Sequence, residues 1–311
     1  MLTRGAIRSR CARAFVQPLW LVALGIMVLI AIRPAPALAQ LTFPGASPIS
    51  AGNLIIVAQP NVVEEIGGFQ SSIGQAVLVY GASSKLALIT ESNVLVWNMA
   101  NAMNNGKTAR LSALGTGDTL QEFRYTVFQR DGIGSTLRIA PLIGVTFPTG
   151  MDNVNSQLPH DIQPATGNWA VRGALTASWQ TLYWNAEAEI GYDNRFPGTD
   201  FQFGNQFVLD AAYHYVLWPR QVKPGIPGEL FASLETNFYA DTVDRFHGQF
   251  VPGTGGHLWL VDPGLDWSTP GYGIAATALL PVTQTTYRSG RHYNYGILLH
   301  FRLSLYTPYH W

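Results

Sequence analysis

Apolar and polar residues alternate along this chain in runs of about ten, the period of a β-strand with one face in an apolar medium. The stretch LRIAPLIGVTFPTGMDN (137–153) sets Leu137, Ile139, Ile143, Val145 and Phe147 on one face and Arg138, Ala140, Gly144 and Thr146 on the other. Pro148, Thr149 and Gly150 then end the run. NQFVLDAAYHYVLW (205–218) opposes Phe207, Leu209, Ala211, Tyr213, Tyr215 and Leu217 to Gln206, Asp210, Ala212 and His214. In LYWNAEAEIGYD (182–193), Leu182, Trp184, Ala186, Ala188, Ile190 and Tyr192 oppose Asn185, Glu187, Glu189 and Asp193. GELFASLETNFY (228–239) and YNYGILLHFRLSLY (293–306) read the same way.

Twelve such segments are predicted, near 53–65, 73–81, 85–98, 118–129, 135–147, 168–180, 182–192, 205–218, 229–240, 257–267, 271–283 and 293–306. The first three alternate poorly, as in NLIIVAQP and VLVWNM, so ten or fourteen strands also fit. Long connections at 66–72, 99–117, 148–167, 193–204, 241–256 and 284–292 take turns with shorter ones at 82–84, 130–134, 181, 219–228 and 268–270. Alternation of long external loops with short periplasmic turns is the habit of an outer-membrane barrel. The expected fold is therefore all-β, a transmembrane antiparallel up-and-down β-barrel of about twelve strands. A secreted soluble β-sandwich is the competing architecture, since its strands alternate too. Aromatics near segment ends, among them Trp97, Trp169, Trp179, Trp218, Trp259 and Trp267, suit interfacial girdles.

The beginning of the chain fixes the compartment. Arg4, Arg8, Arg10 and Arg13 precede the apolar stretch Pro18–Ile32, and Ala37, Leu38 and Ala39 precede Gln40. This reads as a secretory signal peptide over 1–39 cleaved after Ala39; the apolar run is short for a spanning helix of about 20 residues. The remaining division is 40–52, an N-terminal periplasmic segment, and 53–311, the barrel. Whether 40–52 enters the lumen or hangs in the periplasm is open at the level of sequence. Cys11, the one cysteine, lies in the leader, so the mature chain carries no disulfide, thiol nucleophile or cysteine-bound metal.

Five of the 19 basic residues also lie in the leader, leaving 14 against 19 acidic, about −5. That balance argues against a nucleic-acid partner. Charged residues make up only 12% of the chain, against roughly a quarter in an ordinary soluble domain. With no apolar run near 18 residues after the leader, spanning helices are excluded and a barrel is favoured.

Alternation assigns the inward positions. They include Glu122, Arg124, Arg138, Arg172, Glu187, Glu189, Asp210, His214, Glu229, Glu235, Asp262, Asp266, His300 and Arg302. A twelve-stranded barrel lies between eight-stranded ones filled by side chains and open 16–18-stranded porins. Inward charges must be paired or hydrated. Two readings follow: a structural network of arginines against carboxylates, or a passage whose carboxylate excess favours cations or neutral polar solutes. Glu187 and Glu189, about 7 Å apart on one face, are the foremost lumen pair.

Other chemistry is thin. His214 and His300 lack metal-ligand spacing, GTGDT and GTGG precede no helix, and no G-x-S-x-G is present. Ser304 and His300 share a face four residues apart, which makes no triad. No metal, cofactor or catalytic residue is expected, and no enzyme activity. The loop MDNVNSQLPHD (151–161), with Asp152, His160 and Asp161, is read as a polar external loop, with a divalent cation or lipopolysaccharide as alternative ligands.

The blocks GTGDTLQEFRYTVFQ (115–129), IAPLIGVTFPTGMDN (139–153), GNWAVRGALTASW (167–179) and NQFVLDAAYHYVLWPR (205–220) resemble successive blocks of one family. It is the family of outer-membrane transporters grouped under the meta-pathway of phenol degradation. VDPGLDW (261–267) and ALLPVTQ (278–284) resemble its later blocks, while SLYTPYHW extends past its usual closing strand. The resemblance, over roughly 70–303, implies a Gram-negative outer-membrane barrel that passes small, often hydrophobic or aromatic solutes. The expected partners are outer-membrane lipids and lipopolysaccharide, the assembly machinery reading a C-terminal strand ending in Trp311, and a small-molecule solute. Both termini are expected in the periplasm. A structural or adhesive barrel with a plugged lumen is the runner-up; an outer-membrane lipid hydrolase comes third.

Overall fold

The computed structural model describes residues 45–46, 49–66, 69–104, 107–198, 200–221, 227–285 and 292–306. The leader and Trp311 lie outside the described residues. The strands are β1 (Asn53–Ile66), β2 (Phe69–Gly81), β3 (Leu86–Asn104), β4 (Lys107–Gly115), β5 (Thr119–Tyr125), β6 (Phe128–Gly132), β7 (Ser135–Phe147), β8 (Ala170–Thr181) and β9 (Trp184–Arg195). They continue as β10 (Phe201–Gln202), β11 (Gln206–Trp218), β12 (Glu229–Asp241), β13 (Arg245–Phe246), β14 (Gln249–Phe250), β15 (Gly256–Ser268), β16 (Tyr272–Gln284) and β17 (His292–Tyr306).

Among the described residues one antiparallel sheet contains 14 strands, and β17 pairs with β1, closing it into a barrel. The wall counts twelve, because β5 and β6 follow one another along β7 and β4 is a hairpin arm of β3. Lower β3 (86–92) pairs β5, and its upper part (96–104) pairs β4. The segment predicted as loop 99–117 is thus largely a strand hairpin. The predicted long connection 66–72 also shortens, since β2 begins at Phe69 and takes in Gln70, Ser71 and Ser72. Their polarity suggested a loop; Ser71 is instead a buried inner-face residue that donates to Asn98 Oδ1 at 2.7 Å.

Two packing environments follow from the pleat. Outward residues such as Leu175, Ile190, Leu209, Leu234, Leu265 and Ile297 are about half exposed on the bare wall. In water, each such half-exposed side chain forgoes about half of the roughly 1.5–3 kcal/mol that full burial contributes, and a whole wall of them suits lipid. Inward residues on the same strands are mostly buried and polar. Weak alternation in β3 has a local cause: Gly74 faces Leu95 but Gln75 faces Asn93, so Val94 is a β-bulge residue. Val94 and Leu95 are then both exposed, breaking the period.

Long connections gather at one end of the barrel. The 148–169 loop crosses the β3–β4 hairpin, with a 3-10 turn at His160–Ile162. Two further loops contribute β10, β13 and β14, a small separate sheet. Both ends of the described barrel, Asn53 and Tyr306, face each other at the opposite, short-turn end.

Candidate functional site

The inner face is built by register. Glu189 on β9 opposes Asp210 on β11, which opposes Asn237 on β12. One row toward the short turns, Glu187, Ala212, Glu235 and Asp262 follow one another across β9, β11, β12 and β15. The next row holds Asn185, His214, Ser233, Gly264 and Thr277. Glu122, Arg124, Glu187, Glu189, Asp210, His214, Glu235, Asp262, Asp266, His300 and Arg302 are all buried on this face.

Arg172 forms the ionic centre. Its guanidinium hydrogen-bonds Glu189, lies 3.4 Å from Glu122 Oε1, and meets Asp193 Oδ2 at 3.3 Å. The planar fork suits this task, because several carboxylates share one cation whose charge does not titrate. Gly144, opposite Arg172, leaves room: a Cβ there would meet Glu122 Cγ and Arg172 Cβ at 3.1 and 3.3 Å. Glu91 belongs to the same electrostatic group and accepts from Gln75 Nε2 at 3.2 Å.

Other candidate charges are spread along the wall. Arg302 Nη2 donates to Ser268 Oγ at 2.6 Å and to the Thr269 carbonyl at 3.1 Å, near the short turns. His300 Nδ1 sits 3.0 Å from the Gln59 amide nitrogen. Arg138 turns to Asp131, 3.7 Å away at the short-turn rim, and Glu229 is half-buried at the same end opposite Ser268. The structure therefore joins Glu122, Arg172 and Glu189 in one cluster and leaves Arg138 and Arg302 apart from it.

The short-turn end is occupied by the chain's own N-terminal segment. Ala46 is wholly buried, and Ile49 packs into an apolar patch of Ile55, Val57, Val77 and Ile89. Arg124 donates to the Gly45 carbonyl, tying this segment to the inner wall of β5. Gly81 permits the approach, since a Cβ there would lie 2.3 Å from the Ser50 carbonyl oxygen. An apolar patch facing inward is the one sequence signal of such an occupant, and it hides in the poorly alternating first strands.

At the other end a cavity of about 490 Å³ opens beneath the loops. Its walls combine Phe69, Val96, Leu258 and Tyr239 with polar Asn98, Gln163 and Asp193. The 148–169 loop forms one side. Asn98 Nδ2 donates to the Ile162 carbonyl at 2.9 Å, and Asp118 accepts from Thr166 N at 2.8 Å and Gly150 N at 3.2 Å. Leu158 and Ile162 bury themselves against Phe69, Ala100 and Ala113. His160 stacks on Phe201 at 4.8 Å, linking this loop to its neighbour. Sequence reasoning left Glu91, Asp118 and the cavity's apolar wall outside the candidate set. Among the described residues no group of three or more His, Cys, Asp or Glu converges to hold a metal.

Comparison with known proteins agrees with this architecture. The COG4313 outer membrane channel from Pseudomonas putida F1 is similar at a TM-score of 0.58 and 13% identity, over 84% of this chain and 97% of that one. The NanC porin is similar at a TM-score of 0.47 and 10% identity, over 81% of this chain and 100% of that one. No curated protein matches the chain. A family model described as "Putative MetA-pathway of phenol degradation" matches residues 62–304. With an apolar outer wall, a closed twelve-stranded sheet and that match over most of its length, the chain is an outer-membrane β-barrel belonging to this family of phenol-degradation proteins.

Proposed function

We propose that the protein is a passive outer-membrane channel for small hydrophobic or aromatic solutes, with its long loops outside the cell and both termini in the periplasm. The observation carrying this reading is the 490 Å³ cavity at the long-loop end, where an apolar and aromatic wall of Phe69, Val96, Leu258 and Tyr239 faces polar and acidic groups that include Glu91, Asp118, Asp161 and Asp193. Sites for small organic ligands usually span about 300–1,000 Å³, and this cavity, more polar than most, suits a solute that joins an apolar ring to a polar group. A phenol ring fits beside Phe69, Val96, Leu258 and Tyr239, and its hydroxyl finds an acceptor in the Asp193 carboxylate. The family's association with phenol degradation points the same way.

Uptake into vesicles tests it. Proteoliposomes carrying the refolded protein should admit a small phenolic compound faster than protein-free vesicles, with no gain for a sugar of similar size. Equal gains would mean an unselective pore.

One observation favours a second reading, a structural barrel that passes nothing: Gly45, Ala46 and Ile49 lie against the inner wall at the short-turn end, beside rows of buried charged side chains. No gain for either solute would support it.

A further inference from the structure

We infer that the inner wall of β11, β12, β15 and β16 holds a monovalent cation at a seat over Gly264, flanked by Ser233 and Thr277. Register puts like charges opposite one another: Glu189 faces Asp210, and Glu235 faces Asp262. Directly opposed carboxylates lie about 4.5–5.5 Å apart at Cβ and repel. Arg172 answers Glu189 together with Glu122 and Asp193, and Arg302 is held by Ser268 and Thr269, so neither arginine is bonded to Glu235 or Asp262. His214 stands 3.7 Å from Glu235.

Unmatched hydroxyls make an independent observation. Ser233 Oγ and Thr277 Oγ1 are closed off from solvent and have no hydrogen-bond partner, on residues only 5% and 3% exposed. Both point at one spot. A Cβ added to Gly264 would lie 2.5 Å from the first, 2.6 Å from the second and 3.0 Å from the Ala276 carbonyl oxygen, so these oxygens converge above a glycine where no side chain would fit. One row away are Glu235 and Asp262, and beyond them Asp210, whose Oδ1 is also buried without a partner. Buried oxygens without donors are costly, and a cation satisfies hydroxyl and carboxylate oxygens together.

The donor set selects the ion. All-oxygen sites suit hard cations. The carboxylates do not converge into a cage for a multivalent metal. A sodium or potassium ion keeping part of its hydration shell needs no cage, as in pores lined by acidic side chains. The seat stands whether or not solutes cross the barrel, so its test is independent of transport.

The experiment is the thermal unfolding of the refolded full chain in detergent at constant ionic strength. Sodium, potassium and N-methyl-D-glucamine chlorides are compared at fixed pH. Because a ligand bound only by the native state raises its stability, a small cation well above its dissociation constant should raise Tm by roughly 5 °C over N-methyl-D-glucamine. The Ser233→Ala/Thr277→Val double variant and the Glu235→Gln/Asp262→Asn double variant should each lose most of that difference. Identical melting in all three salts overturns the proposal. So does a difference that survives in both variants. If Tm follows pH but ignores the cation, protons neutralise the carboxylates and the seat is refuted. The wild-type comparison decides the matter even if a variant does not fold.

Discussion

Arg172 shows how a single side chain organises the interior. Glu122, Glu189 and Asp193 reach it from β5 and β9, two elements on either side of its own neighbourhood. Removing one partner of a buried ion pair costs about 3–5 kcal/mol, because the remaining charge is left desolvated. Arg172→Ala should therefore lower unfolding stability by that order in urea titrations of the folded barrel. Arg172→Lys should recover only part, since an ammonium cannot fork between carboxylates. A loss under about 1 kcal/mol for Arg172→Ala would mean the cluster is hydrated rather than buried.

At the scale of elements, the wall separates two solvents by residue parity. Leu175 on β8 faces Ile190 on β9, and both are exposed outward. Leu175→Arg should cost about 2–4 kcal/mol of folding into vesicles if the site lies near the bilayer midplane. A neutral outcome would place this face away from the hydrocarbon. The N-terminal segment makes a second case. Gly81→Ala sets a methyl against the Ser50 carbonyl and should release residues 45–52 to added protease. Gly173→Ala is the control, because nothing lies within 4 Å of its Cβ position. Equal protease resistance in both variants would count against the seating of this segment.

These elements also show what a sequence makes legible. Parity is a backbone property, so Glu187 and Glu189 on one face of β9 follow from spacing alone. Loop polarity is not, and it misplaced the start of β2: Ser71 faces a buried asparagine rather than water. The bulge at Val94 puts Val94 and Leu95 both outward, so β3 as a whole shows no clean alternation from which Glu91 could be assigned inward. Ile49 was unreadable for another reason. Its partners Ile55, Val57, Val77 and Ile89 lie on β1, β2 and β3 at inward positions otherwise shared with polar residues, and only the pairing of these three strands gathers them into an apolar patch.

On the scale of the whole molecule the lumen has three storeys. A mixed apolar and polar cavity lies under the long loops, charged and hydroxyl-bearing rows cross the middle, and Ala46 and Ile49 of the N-terminal segment pack against the wall at the short-turn end. In the proposed channel a solute entering from the loop side meets this segment last, and we assign the limiting step of its passage to that constriction. The decisive measurement is phenol uptake by vesicles bearing the full chain against vesicles in which residues 45–52 are replaced by a Gly-Ser linker of equal length. The account predicts uptake several-fold faster with the linker, at equal amounts of folded barrel. Unchanged uptake would contradict it, because the solute would then not pass the segment through the lumen.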